Sequence, residues 1–437
     1  MSATREPPLH IDTREQLVFV LCEAAELEHS LTCAYLFAAW SMRTRDGDGL
    51  GGGQLAAVRR WERTVTGVAV QEMAHLALVS NLLTAIGAAP HLARPNLPQR
   101  ARYYPEDVQL SLEPFNADTL RHFVYLERPE GIEERDAPAF TSPRRAHPPA
   151  DGPVGIVPRA ERFATVGHLY RGIGHGFANL VAQRGEEAVF LGSPRAQATR
   201  VDFALPELEP VTDLASAQAV IDRIVEEGEG ARGRWQDGHY GRFLAVEREL
   251  AEQVAADPGF APAWPVLANP FVRQPVDCDP VNVVSDPFTA AVAELANAAY
   301  AATLQVLARS FAHTNETDEE LTVLATVGVD AMFRLLKPLG TLLTRLPAGA
   351  GHPGMTAGMS FELFRSLHLL PHRRAAWALL HERLSDLGAH AGRLAADAPH
   401  ADASAVLGAS AEGFAALAGK LADCLTAQTP YSSGPRL

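Results

Sequence analysis

The clearest chemical signal in the chain is Gln71-Glu-Met-Ala-His75, where a carboxylate and an imidazole stand three residues apart. On a helix this spacing puts Glu72 and His75 on one face, about one turn apart. A bundle that holds two iron ions needs such an oxygen and nitrogen donor pair from a helix. Chance also produces this pair on solvated helices, but the neighbouring Leu76 and Val79 place it beside an apolar stripe. A charged pair in that position is costly unless something binds it, which favours a metal ligand role.

Glu28 supplies a second carboxylate on the preceding predicted helix. It continues an apolar stripe that includes Leu21, Leu31 and Tyr35, so its side chain is expected to point inward. A buried carboxylate that is hydrogen-bonded to Tyr or His is the alternative interpretation. With Glu72 on the neighbouring helix, the metal interpretation is the better one.

Two further candidates flank a predicted helix break. Glu229 follows Ile221 and Val225 on an apolar face, and a loose, acidic helix end is the alternative interpretation. His239 begins the next apolar stripe, and in one continuous helix it would not share a face with Glu229. Only an interruption of the helix would bring both residues to one site.

The third helix offers Glu161, His168 and His175 at seven-residue steps, hence on one side. We predict His168, at mid-helix, as the ligand. Glu161 is a weaker alternative that would contribute a carboxylate, and His175 is interpreted as a packed core histidine in preference to a ligand.

The elements that must position these residues are helical throughout. Apolar periodicity predicts helices from residue 12 to about 40 and from 55 to 86, a third over 160–183, and a fourth that begins near Asp213 and breaks at Gly228-Glu-Gly230. A Pro-rich insertion over 90–160, with a short helix over 117–125 and a short strand over 108–112, is expected to cover the site. The predicted fold is all-α. A four-helix bundle over 12–256 is followed by a Pro-rich linker over 257–286 and a second helical domain over 287–428.

Composition limits the partners. The formal net charge of −14 argues against nucleic acid as a partner. We predict no membrane association, because no uncharged run approaches the roughly 18 residues needed to span a bilayer. The four cysteines lack CxxC spacing and the first residues lack a signal peptide, so a cytoplasmic protein with reduced thiols is expected. A homodimer is the default oligomeric state.

Several segments in order resemble one known family. They are Ala-Glu-Leu-Glu28-His29-Ser with Tyr35-Leu36, Gln71-Glu-Met-Ala-His-Leu76, Leu112-Glu-Pro-Phe115, Leu126-Glu-Arg-Pro129, Thr165-Val-Gly-His-Leu-Tyr170, Gly228-Glu-Gly230 and His239-Tyr-Gly-Arg-Phe243. Together they resemble the ferritin-like domain of the iminophenylpyruvate dimer synthase type, which occurs in violacein biosynthesis. The resemblance spans about residues 15 to 250. Two later segments, Ala357-Gly-Met-Ser-Phe-Glu362 and Leu370-Pro-His372, resemble the helical extension of some members.

This resemblance implies a ferritin-like bundle and marks Glu28, Glu72, His75, position 168 and Glu229 as site positions. The chain departs from the family pattern at two places. The family tends to have Glu where this chain has His168, and Glu where it has Gln71. Replacing a carboxylate by imidazole lowers the negative charge of the site. That change would alter its metal preference, add a third nitrogen ligand, or mark a degenerate site.

The leading hypothesis is a non-haem di-iron oxidase or oxygenase of secondary metabolism, with two iron ions per chain. Manganese or a mixed manganese–iron pair is the alternative metal content. Its partners would be O2 and a small amino-acid-derived or aromatic substrate, the latter expected from the family's pathway setting. Three alternatives stay open: a ferroxidase or iron-binding protein without organic substrate, a non-catalytic scaffold in a biosynthetic complex, and a haem enzyme, for which we find no axial-ligand motif.

Overall fold

The protein is described by a computed structural model. The structure describes residues 9–99, 110–140, 163, 165–203, 205, 208–231, 234–275, 281–311, 315–367, 370 and 372–427. Its helices, in chain order, are α1 (Arg14–Ser41), α2 (Gly52–Ala85), α3 (Ala117–Leu126), α4 (Val166–Arg184), α5 (Glu186–Val189), α6 (Arg200–Phe203), α7 (Leu214–Glu229), α8 (His239–Ala256), α9 (Pro287–Ser310), α10 (Asp318–Ala331), α11 (Lys337–Leu343), α12 (Arg373–Ala396) and α13 (Ala401–Ala427). The strands are β1 (Pro270–Phe271) and β2 (Asn282–Val283), which pair in parallel.

The long helices α1 and α2, which are joined by a short loop, pack against each other. Thr13 caps α1 through a reciprocal hydrogen-bonded pair with Gln16, which satisfies backbone donors that the first turn leaves free. Gly87 follows α2 with φ of 84°, a left-handed conformation that favours glycine and ends the helix. Nearly every residue in the second half of each helix is buried, so both contribute to the core on several sides.

The other two sides of the bundle are each built from two shorter helices. The α3 helix covers the second half of α1, since the rings of Phe123 on α3 and Tyr35 on α1 lie 4.6 Å apart between centroids. The α4 helix covers the beginning of α1, where Asn179 Nδ2 donates to the Ile11 carbonyl over 3.2 Å. The third side is therefore interrupted midway along α1.

The fourth side is interrupted in the same way. Gln218 on α7 donates to the Gly174 carbonyl of α4 over 2.7 Å. On α8, Glu249 accepts from Trp61 Nε1, near the beginning of α2, over 2.8 Å. A short 3₁₀ turn, Trp235–Asp237, lies between α7 and α8. The predicted break after Gly228 is therefore present, and it ends the helix after Glu229.

Within the described residues, the third predicted bundle helix is present as α4. Its first helical residue is Val166, and the Thr165 side chain accepts from the His168 amide at its N-terminus. The predicted start at 160 lies outside the described residues. So does part of the predicted strand over 108–112, within which Leu110 forms an isolated bridge to Gln99.

Helices α9 and α11 pack against α1, α10 and α12 pack on α9, and α13 packs on α11. Tyr300 on α9 contacts His29, with 2.6 Å between its hydroxyl and Nε2. A single hydrophobic cluster includes residues from both halves, among them Tyr35, Phe243, Leu304 and Trp377. A π-helix, Met332–Leu336, joins α10 to α11. The division into two domains stays a prediction.

Three helices, within Gly52–Ala85, Pro287–Ser310 and Ala401–Thr426, are long and apolar enough to cross a membrane by length and composition alone. In the structure, 83% of the apolar window of the first is buried against the rest of the chain, 61% of the second and 33% of the third.

Candidate metal centre

Five buried side chains from four helices converge where the bundle is interrupted. Glu28 comes from the middle of α1, and Glu72 and His75 come from one face of α2. Glu127 caps the C-terminal end of α3, and His239 is the first residue of α8. The two helix breaks thus place the Glu127 carboxylate and the His239 imidazole beside Glu28, Glu72 and His75.

These residues form two groups whose ligand atoms lie within 4.8 Å of one another: Glu28, Glu72 and His75 in the first, and Glu72, Glu127 and His239 in the second. In the first group, His75 Nδ1 lies 3.1 Å from Glu72 Oε2 and 3.5 Å from Glu28 Oε2. Each residue exposes at most 2% of its surface. The group could therefore hold one metal ion out of contact with bulk water.

The second group uses the other oxygen of the same carboxylate. His239 Nδ1 lies 2.9 Å from Glu72 Oε1 and 3.6 Å from Glu127 Oε2. The imidazole rings of His75 and His239 stack with 5.6 Å between their centroids. Glu72 thus belongs to both groups through different oxygens, so its carboxylate could serve as a ligand in each group.

Side chains outside the cluster contact three of the five residues. The Tyr170 hydroxyl donates to Glu28 Oε1, and the Tyr35 hydroxyl donates to Glu127 Oε1. On the other side of His75, Nε2 lies 3.0 Å from Glu227 Oε2. Such outer partners fix the orientation of ligand side chains and tune their basicity.

Burial and mutual charge shift the pKa values of the cluster strongly. Burial, reinforced by the neighbouring Glu72, raises the pKa of Glu28 to about 8. Burial opposes the protonation of His239, but the charge of Glu72 outweighs it and raises the pKa to about 9. Burial likewise opposes the protonation of His75, but the charge of Glu72 and hydrogen bonds to carboxylates outweigh it and raise the pKa of His75 well above its usual value. Without metal, the cluster therefore holds protons at neutral pH.

The donor set fits two divalent cations. Burying three carboxylates in an apolar core is expensive unless positive charge neutralises them. The contact of His239 Nδ1 with Glu72 lacks hydrogen-bond geometry, and His239 Nε2 is buried without a hydrogen-bond partner among the described residues. Carboxylates with one imidazole per group are the donors of dinuclear iron or manganese sites in helical bundles.

Three of the candidates from the sequence, all among the described residues, lie outside both groups. His168 is buried at the beginning of α4 but belongs to neither group. The residue of α4 that contacts the cluster is Tyr170, which donates to Glu28. The carboxylate of Glu229 lies 3.2 Å from Arg171 and accepts from the Glu130 amide. His175 is exposed and is not in the core as predicted, and Glu161 lies outside the described residues.

Glu127 is the residue that sequence reasoning missed. We assigned the third carboxylate position to the helix that begins near 160, but the chain reaches the level of Glu72 earlier, at the end of α3. The available signal was the predicted short helix over 117–125 followed directly by Glu127 within Leu126-Glu-Arg-Pro129. Glu227, which contacts His75, was not predicted either, because the apolar stripe of Ile221 and Val225 favoured Glu229, two residues later.

The sequence profile of the ferritin-like family matches residues 21–248, which is more than half of the chain and includes all five clustered residues. The chain belongs to the ferritin-like family. The predicted resemblance is thereby confirmed. A ferritin-like protein of known structure from Caulobacter vibrioides aligns with 73% of this chain and 96% of its own, with 19% identity and a TM-score of 0.47.

Two curated enzymes are distant relatives. Dichlorochromopyrrolate synthase of Lentzea aerocolonigenes is 27% identical over 84% of this chain and 38% of its own length. The 2-imino-3-(indol-3-yl)propanoate dimerase of Chromobacterium violaceum is 29% identical over 80% of this chain and 34% of its own length. The chain thus spans little more than a third of either relative.

Proposed function

We propose that the protein is a non-haem dimetal oxidoreductase, with iron as the metal, which acts on a small amino-acid-derived or aromatic substrate in secondary metabolism. The observation that carries this proposal is the shared carboxylate Glu72, whose two oxygens face two separate groups of buried donors. Two metal ions held there would supply the electrons for chemistry with O2. The name of one relative supports the substrate class, since it is a dimerase of 2-imino-3-(indol-3-yl)propanoate, an imino acid that carries an indole ring.

The residues of this chain would perform three tasks. Glu28, Glu72, Glu127, His75 and His239 would bind the metals, and the buried positions of all five would exclude water. Because burial raises the pKa of Tyr35 well above its usual value, its hydroxyl stays protonated and keeps donating to Glu127. Glu227 would hold the proton on His75 Nε2, which leaves Nδ1 free to face the cluster.

The test combines metal content with oxygen consumption. The purified chain, loaded anaerobically with ferrous iron, is expected to retain about two ions and to consume O2 faster in the presence of 2-imino-3-(indol-3-yl)propanoate than without it. Products would be identified by mass spectrometry. Glu72→Gln removes the shared carboxylate charge at nearly constant volume, so this variant should lose both ions and the oxygen consumption.

The outcomes separate the alternatives. Two bound irons with O2 consumption that no organic compound accelerates would replace the proposal by a ferroxidase. Failure of the wild-type chain to bind any iron or manganese would rule the proposal out and favour a scaffold.

A further inference from the structure

A cavity lies beside the α1–α2 pair, on the side that faces α9 and the π-helix Met332–Leu336. Its volume is about 120 Å³, and α1, α2 and α9 contribute Leu36, Ala77 and Leu304 to its wall. None of the five residues of the metal cluster lines it. We call this space the α9 cavity.

The wall of the α9 cavity is almost wholly apolar. Tyr300 lines the cavity, but its hydroxyl contacts His29 Nε2 at 2.6 Å and accepts from Arg94 Nε over 3.2 Å. Thr32 Oγ1, Trp40 Nε1 and His29 Nδ1 are buried without a hydrogen-bond partner among the described residues. Because the wall exposes almost no polar surface, these three atoms are not available to a ligand. A molecule in the cavity would therefore be held by apolar contacts.

Such a space suits an apolar molecule better than water. A buried water molecule needs about two to four polar partners, which an apolar wall does not supply. An engineered apolar cavity of roughly 150 Å³ stays dry and binds benzene. The α9 cavity is of comparable volume. Met73 and Met332 line it, and their flexible side chains can adjust to the shape of a single ring.

The aromatic part of the wall contains a strained residue. Phe361 has φ of 49°, a left-handed conformation that is an outlier for a bulky residue. Its carbonyl accepts from Nη2 of the buried Arg94 over 2.6 Å, which fixes the backbone there. The Phe361 ring lies 5.4 Å from that of Tyr300 and 5.6 Å from that of Trp40, measured between centroids. Backbone strain of this kind is concentrated at active sites and ligand-binding sites.

The α9 cavity opens to solvent at the π-helix. Phe333, on this π-helix, lines the cavity and is 50% exposed, which is unusual for a large apolar side chain. Lys337, the first residue of α11, also lines the cavity, and its ammonium lies 3.3 Å from the Glu62 carboxylate. The two charges of this pair cancel, so the opening does not select an ionised ligand. π-Helices are rare and occur frequently at functional sites.

The geometry points to a binding site in the α9 cavity for a small neutral aromatic molecule of one ring, recognised by apolar contacts alone. The apolar wall excludes a ligand that must keep hydrogen bonds, and the aromatic rings of Trp40, Tyr300 and Phe361 offer edge and face contacts to a ring. The inference rests on the cavity and does not depend on the proposed metal chemistry.

Toluene and phenol provide a matched pair of probes, because they are similar in size and differ in a hydroxyl group. Isothermal titration of the full chain is expected to show saturable binding of toluene at one site, and toluene should raise the melting temperature with increasing concentration. Phenol should bind about two- to thirtyfold more weakly, because its hydroxyl loses hydrogen bonds to water on entering an apolar space.

Two variants locate the binding site. Ala77→Leu fills part of the cavity and should weaken toluene binding about tenfold or more. Ala56→Leu is the matched control, because Ala56 is exposed on the same helix and does not line the cavity, and it should leave the affinity unchanged. Phe333→Ala changes a half-exposed side chain, so the fold should persist, and the loss of apolar contact should weaken toluene about two- to fivefold.

The inference is overturned if toluene does not bind the wild-type chain, or if it binds Phe333→Ala and a folded Ala77→Leu variant as tightly as the wild type. Phenol binding as tight as that of toluene would also overturn it, because a polar group of the wall would then be accessible.

Discussion

At the scale of single residues, the arrangement of charge around Glu72 decides what the cluster can bind. Its two oxygens lie 2.9 Å from His239 Nδ1 and 3.1 Å from His75 Nδ1, so one carboxylate serves both imidazoles. Glu28 and Glu127 then serve one group each. The roles of these three carboxylates are therefore distinguishable by substitution.

Glu127→Gln is expected to reduce the metal content from about two ions to about one, because only the second group loses a charged donor. The amide is nearly isosteric and still accepts from Tyr35, so the fold should persist. Metal analysis after equilibrium dialysis measures the change. Glu229→Gln is the matched control: its carboxylate pairs with Arg171 instead of entering a group, and it should retain both ions. If Glu229→Gln lost an ion while Glu127→Gln retained both, the prediction of Glu229 as a metal ligand would be correct instead.

Metal affinity is expected to fall with decreasing pH. Burial and Glu72 raise the pKa of Glu28 to about 8, so below that pH its carboxylate carries a proton in the metal-free protein. Metal binding must displace this proton and those on the histidines, so the affinity should decrease on the order of tenfold per pH unit for each proton released. Titrations between pH 6 and 8 in buffers of different ionisation enthalpy would measure it. A pH-independent affinity would contradict this assignment of protons.

At the scale of the helices, the interruptions of the third and fourth sides make the cluster possible. In an unbroken fourth helix, Glu229 and His239 would lie on different faces. The 3₁₀ turn Trp235–Asp237 instead separates α7 from α8, so a new helix begins after it. His239 belongs to the cluster as the first residue of α8. This turn packs so closely on α8 that a Cβ atom at Gly241 would lie 2.3 Å from the Trp235 carbonyl oxygen.

Gly241→Ala is therefore expected to displace the beginning of α8 and to destabilise the protein by about 1–3 kcal/mol. The displacement should also weaken binding of the metal ion nearest to His239. Gly67→Ala is the control in the exposed middle of α2, where a Cβ atom meets nothing, and it should stabilise by about 0.5–1 kcal/mol. Thermal unfolding and metal analysis of both variants provide the measurement. Equal effects of the two substitutions would show that the turn does not constrain α8.

At the scale of the whole molecule, the bundle and the C-terminal helices share one interior. A Cβ atom at Gly340 on α11 would lie 2.2 Å from the Trp40 ring, so these helices approach closely. Trp40 also stacks on Phe361 with 5.6 Å between ring centroids. The contacts of His29 with Tyr300 and of Thr344 with the Trp40 carbonyl add polar connections across the same surface.

Residues 12–256 produced alone are therefore expected to expose this surface and to aggregate or to bind a hydrophobic dye, whereas the complete chain should unfold in one cooperative transition. Gel filtration and dye fluorescence of the shortened protein test this directly. A soluble, monomeric fragment with full metal content would instead establish the predicted bundle as an independent domain.

The periodicity of α1 and α2 determined which of their residues face inward, and with them Glu28, Glu72 and His75, because a face is a property of a single helix. It also indicated the break before His239, since the glycines around Glu229 are local signals. Glu127 was decided only by tertiary structure. Its place depends on where α3 ends relative to α1 and α2, and the alignment of separate helices along a common axis is set by packing between them.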